Sequence, residues 1–152
     1  MAIDFQFDET ADNRPIKILN VTDEFTSETL TTNAARCITA ARTRGVSDQI
    51  DKMHGTPQLL RMDNGSEFIA DTLRDWCKEQ HITANYCDPG SPGQNGRIES
   101  FNSRPKDELL NREVFHSMWE IRFMLKEHRN NYNHYRPQSA ISYLTPIEFT
   151  TK

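Results

Sequence analysis

Residues 88–102 read Asp88-Pro89-Gly90-Ser91-Pro92-Gly93-Gln94-Asn95-Gly96-Arg97-Ile98-Glu99-Ser100-Phe101-Asn102. Proline lacks the N–H a helix needs and glycine carries the largest entropic cost of ordering, so a helix cannot run through Pro89 to Gly96. The pattern from Arg97 to Leu110 predicts one immediately afterwards. A flexible loop therefore feeds a helix whose first turn carries an acid, Glu99. Any fold for this chain must accommodate that junction. It must also decide whether Glu99 meets two upstream acids, Asp4 and Asp63.

The residues before the loop alternate between two periodicities. Ile3 to Asp8 alternates apolar and polar, which predicts a strand with Asp4, Gln6 and Asp8 on one face. Asp12-Asn13-Arg14-Pro15 is turn chemistry, and Ile16 to Val21 predicts a second, more buried strand paired in an antiparallel hairpin. Glu28 to Thr32 predicts a polar edge strand. A helix is expected over 33–53, with Ile38, Ala41, Val46, Ile50 and Met53 on its apolar stripe, and His54-Gly55-Thr56-Pro57 ends it. Leu59 to Met62 is a short strand with Asp63 at its C-terminal end. A helix that Asp71 can cap follows, with Leu73, Trp76, Cys77 and Gln80 recurring at i, i+3, i+4 and i+7. Ile82 to Cys87 is the next strand. Strands then helices alternating with strands define an α/β layered sheet of mixed direction. After the loop, 115–135 predicts a long helix and Leu144 to Phe149 a short one, with Thr145 as cap and Pro146 at N1.

Composition narrows the function classes. The 152 residues suit one domain, with a core over about 1–111 and C-terminal helices over about 112–152. No apolar run reaches the roughly 18 residues of a membrane span, and no secretory signal is present, so no membrane partner is expected. Cys37, Cys77 and Cys87 lack CxxC spacing and read as small apolar core residues of a reducing compartment, which points to the cytoplasm. No GxSxG or HExxH pattern occurs, which argues against serine hydrolases and zinc enzymes. The net charge of −4 is uneven: residues 1–93 carry nine Lys/Arg and fifteen Asp/Glu, whereas 94–136 carry eight and six. A basic face beside an acidic centre fits that distribution.

Taken singly, each acid also has an ordinary reading: Asp4 as a strand residue, Asp63 as a turn former with Asn64-Gly65, Glu99 as a partner of the helix dipole. Taken together, three converging carboxylates cannot all stay ionised in a partly buried pocket without a counter-charge. Oxygen-only ligands favour Mg²⁺ or Mn²⁺. Two such ions about 3.5–4 Å apart suit in-line phosphoryl transfer.

The flanking words decide between these readings. Ile3-Asp4-Phe5, Val21 to Thr26, Arg61-Met62-Asp63-Asn64-Gly65-Ser66-Glu67-Phe68, Pro89 to Pro92, Gln94-Asn95-Gly96, Ile98 to Asn102 and Asp107 to Asn111 occur in order. Tyr132-Asn133, Arg136-Pro137, Ser139-Ala140, Thr145-Pro146 and Phe149 continue the series. The chain resembles the integrase-like catalytic core of the DDE transposase and retroviral integrase superfamily, closest to insertion-sequence transposases. The 35 residues between Asp63 and Glu99 are the spacing by which that family is known. The resemblance implies a ribonuclease-H-like fold, a five-stranded mixed sheet flanked by helices. It implies Asp4, Asp63 and Glu99 as catalytic ligands of two Mg²⁺ or Mn²⁺ ions, without an organic cofactor. It implies DNA contacts from Lys106, Asn64, Gln94, Asn95, Arg97 and Arg104. It implies hydrolysis at a transposon end, strand transfer into target DNA, and a homo-oligomer.

The chain departs from the family pattern at three places. Gly93 stands where the family has a large aromatic, and Arg97 where it has an aromatic or apolar residue. Pro105 interrupts the stripe Ile98, Phe101, Leu109, at a cost of about 3 kcal/mol for an internal proline. The helix is expected to kink or restart there, which moves Lys106 more than Glu99. The helix-turn-helix region that such transposases use to read terminal repeats is absent from these residues, so 1–152 alone is expected to bind DNA weakly and without sequence preference. The alternative reading is a truncated or decayed copy that serves only as a nonspecific nucleic-acid-binding or oligomerisation module.

Overall fold

The computed structural model describes residues 1–62, 67–86, 109–111 and 114–152, with residues 67 and 68 described as backbone only. Strands β1 (Ala2–Glu9) and β2 (Pro15–Thr22) form the expected antiparallel hairpin, in register from Ala2 opposite Thr22 to Glu9 opposite Pro15. Asn13 takes the left-handed conformation its turn requires, at φ 58°. Arg36 locks the turn from outside, donating to the carbonyls of Arg14 at 2.8 Å and Pro15 at 3.2 Å. Strand β3 (Thr29–Ala35) adds antiparallel to β2, with a register break between Val21 and Thr22. The chain then crosses twice, through α1 (Ala40–His54) to β4 (Leu59–Met62) and through α2 (Glu67–Glu79) to β5 (Thr83–Tyr86). Both new strands run parallel to β1, giving one five-stranded mixed sheet in the order β3-β2-β1-β4-β5.

Alternation along the strands builds a core on each side of that sheet. Ile3, Leu19, Val21, Leu60 and Met62 face α1 and α2, where Ile50, Ile69, Leu73, Trp76 and Cys77 meet them. The Trp76 indole N–H donates to Asp48 at 2.7 Å and ties α2 to α1. Ile16, Ile18 and Ala34 face the other way, against Leu109, Leu110, Phe115 and helix α3 (Met118–Tyr135) through Ile121 and Leu125. The short α4 (Pro146–Thr150) starts as expected: Thr145 caps it, Pro146 occupies its first turn, and Glu148 completes a capping box.

Five local expectations need correction. The third strand runs on to Ala35, and α1 begins only at Ala40, capped by Thr39. The buried stripe of α1 is Thr43, Ser47 and Ile50, whereas Met53 is 70% exposed and Ala41 is exposed. The reason lies in the hydroxyls: Thr43 donates to the Thr39 carbonyl and Ser47 to that of Thr43, both at 3.0 Å, so these polar residues enter the core satisfied. Asp71 lies inside α2, paired with Arg74, because the helix begins at Glu67. The long C-terminal helix begins at Met118 after a Ser117 cap, and Phe115 before it bridges to Thr10 instead. Cys37 is exposed rather than a core residue, while Cys77 is buried. Cys87 lies outside the described residues, as do Gly93, Pro105 and the helix expected from Arg97, apart from Leu109 and Leu110.

Candidate active site

β1 is the central strand of the sheet, the condition Asp4 must meet to reach a site beyond the strand ends. Asp4 is half-buried there. Its cross-strand partner is Asn20 on β2, so the two side chains share the face that looks toward α3. Asn20 is only 5% exposed, and its amide donates to the Gln6 side chain at 2.9 Å. Gln6, two residues beyond Asp4 on the same face, is buried as well. The carboxylate therefore stands beside two ordered amide side chains.

The second strand of the site is β4. It pairs parallel to β1 with Ala2 opposite Arg61 and Ile3 opposite Met62. Its last residue, Met62, directly precedes Asp63 in sequence, as Ile3 directly precedes Asp4. Arg61 shares the face of Asp4 by alternation and pairs with Glu24, just past the end of β2, at 3.0 Å. Its Nε is buried without a hydrogen bond. That ion pair links two stretches singled out from sequence, Val21 to Thr26 and Arg61 to Phe68.

Asp63, Asn64, Gln94, Asn95, Arg97, Glu99, Arg104 and Lys106 lie outside the described residues. Among the described residues no group of three His, Cys, Asp or Glu side chains could hold a metal ion. Asp4 nonetheless fits one: it is a hard oxygen donor, partly withdrawn from water, on the central strand. Among the described thiols, Cys77 is a poor nucleophile, since burial pushes it up to about 11.

Sequence reasoning placed Gln6 on the face of Asp4 but missed Asn20 and Arg61 as its neighbours. Asn20 carried a signal: it is the polar residue in the otherwise apolar end of β2, and a buried amide needs a partner. Which residue it faced depended on hairpin register. The clamp on β3 was also hidden. Asn133 of α3 accepts from the Thr29 N–H and donates to the Thr29 carbonyl, both at 2.9 Å. Arg122 and Arg129 donate to the carbonyls of Ala34 and Leu30, at 2.9 and 3.3 Å. One helix thereby covers the edge strand that forms the outer border of this face.

The fold is ribonuclease-H-like, a five-stranded mixed sheet flanked by helices. The HTLV-2 integrase catalytic core domain, solved in complex with magnesium as a dimeric form, superposes with a TM-score of 0.68 at 15% identity, covering 97% of this chain and 92% of that one. Residues 1–92 match the integrase core domain family and residues 80–146 a second family of that description, so the chain belongs to the integrase core domain family. A 39.2 kDa protein of insertion element IS476 from Xanthomonas euvesicatoria is 36% identical over 148 residues, 97% of this chain and 43% of its own length. A 31.7 kDa protein of insertion element IS407 from Burkholderia multivorans is 34% identical over 151 residues, 99% of this chain and 54% of its own. The chain thus spans about half the length of these relatives. Among the described residues no helix is long and apolar enough to cross a membrane.

Proposed function

We propose that this chain is the catalytic core of a DNA transposase. It hydrolyses a phosphodiester at a transposon end to free a 3′-hydroxyl, which then attacks a second phosphodiester in target DNA. The observation that carries this reading is the pairing of Ile3 with Met62 on the central strands of the sheet. Asp63 follows Met62 in sequence as Asp4 follows Ile3, and this reading takes the two as partners. Glu99, which follows the Pro/Gly loop in sequence, is the third member of the proposed set. In this reading Asp4, Asp63 and Glu99 hold two Mg²⁺ or Mn²⁺ ions. When bound, such ions supply positive charge to the attacking and leaving oxygens.

The chain's own groups do the rest. Asn20 and Gln6, joined by a hydrogen bond, flank Asp4 on its face of the sheet, and the Arg61–Glu24 pair ties the end of β4 to the segment after β2. Lys106, Arg97, Arg104, Asn64, Gln94 and Asn95 contact DNA, where backbone contacts position the strand without reading its sequence. The same reading places the protein in the bacterial cytoplasm as a homo-oligomer.

The test is disintegration of a branched duplex, or joining of a pre-nicked transposon-end duplex, in Mn²⁺. Wild type gives product, whereas Asp4→Asn, Glu99→Gln and wild type with EDTA give none. Equal product from wild type and Glu99→Gln overturns the reading.

A further inference from the structure

The second half of α3 carries a pocket of about 400 Å³ lined by His128, Asn131, Tyr132, Tyr135 and Arg136. A smaller cleft beside it is lined by Asn20, Thr29, Thr32, Leu125, His128, Arg129 and Tyr132. His128 and Tyr132 border both. Asn20 is the cross-strand partner of Asp4, so the smaller cleft opens on the face of the sheet that carries the candidate catalytic carboxylate.

Its chemistry is specific. Residues 126–136 hold Lys126, Arg129 and Arg136 against Glu127 alone, in a chain whose net charge is −4. Tyr135 is 78% exposed, with the His134 ring 6.2 Å from its own. Among the described residues the lining contains no carboxylate and no aliphatic side chain. Tyr and Arg also occur at contacts between protein chains, but those contacts centre on an apolar core, whereas every side chain of this lining carries a polar or charged end. A nucleic-acid strand wants an aromatic face for a base and cations for phosphates.

We infer that this pocket seats an unpaired nucleotide of a DNA strand, with the base stacked on Tyr135 and the backbone phosphate facing Arg136 and His128. Asn131 offers its amide to the base edge. The inference rests on the reading that the chain acts on DNA, and it adds a seat on α3 that gives the protein a preference for frayed or single-stranded ends.

Binding of a short labelled single-stranded oligonucleotide, followed by fluorescence anisotropy in EDTA, tests it apart from catalysis. Tyr135→Ala weakens binding about tenfold, the scale of one lost base stack, and Tyr135→Trp restores it. Asn131→Asp, which sets a like charge against the phosphate, also weakens it. An oligonucleotide carrying iodouracil crosslinks to Tyr135 on irradiation. Unchanged affinity in Tyr135→Ala and Asn131→Asp, with crosslinks elsewhere, overturns the pocket while leaving the transposase reading intact. Failure of the wild-type protein to bind the oligonucleotide overturns the pocket, while the transposase reading stands or falls on the disintegration assay. A change in sedimentation behaviour of Tyr135→Ala without a change in affinity overturns the assignment in favour of a contact between copies of the chain.

Discussion

Asn133 grips Thr29 by both of its backbone groups, accepting from the N–H and donating to the carbonyl at 2.9 Å each. A helix side chain thereby stands in for the strand that β3 lacks on its outer edge. Thr29 pairs with Thr22 directly after the register break in β2. The grip consequently pins the irregular end of the hairpin that carries Asn20.

Asn133→Ala removes both bonds and leaves two buried backbone groups of an edge strand unpaired. Unpaired buried polar groups cost about 1–3 kcal/mol each, so the variant loses roughly 2–6 kcal/mol. Urea denaturation followed by tryptophan fluorescence measures this. A loss below about 0.5 kcal/mol, within the range of a neutral surface change, shows that the clamp does not stabilise the fold.

Asn20→Ala leaves the Gln6 side chain without its 2.9 Å donor and opens space beside Asp4. Activity in the disintegration assay falls about tenfold, as for groups that orient a metal ligand. The Mn²⁺ concentration needed for half-maximal activity rises, a readout that a purely structural role would leave in place. An unchanged metal requirement removes Asn20 from the site.

Glu148 gives the fold a pH dependence of known sign. The Thr145 N–H, at 2.9 Å, and the Thr145 hydroxyl, at 3.0 Å, both donate to its carboxylate and hold it below the ordinary carboxylate value. A depressed folded-state value means stability that is present above the unfolded value of about 4.3 and is lost as pH falls through the folded one. Thermal melting of Glu148→Gln beside wild type reports this. The wild type melts higher at neutral pH, and the gap closes as the buffer is taken below about pH 4. A gap that persists at low pH assigns the capping effect to hydrogen bonding of the neutral side chain.

Much of the architecture was legible because local chemistry alone dictated it. Period-two alternation in Ile3 to Asp8, turn residues at Asp12 to Pro15, and the Thr145–Pro146–Glu148 cap each specify their element without distant partners. The face of α1 was misread because Thr43 and Ser47 satisfy their hydroxyls within the helix and enter the core, which an apolar count cannot foresee. Along α3, two stripes were available. The sheet chose Ile121 and Leu125, leaving Trp119 stacked on Phe123 at 5.6 Å in solvent.

By itself the sequence determined which residues form strands and helices, where the acids fall in that order, and the family to which those words belong. Only the tertiary structure decided that β1 is central, that Asp4 stands against Asn20, that the ends of β1 and β4 lie side by side, and that Asn133 closes the edge of β3. The division has one physical cause. Hydrogen bonds within a turn of helix or a hairpin join residues close in sequence, so local propensity encodes them. Strand order and helix-to-edge contacts join residues up to 104 positions apart, and they exist only once the whole sheet has assembled.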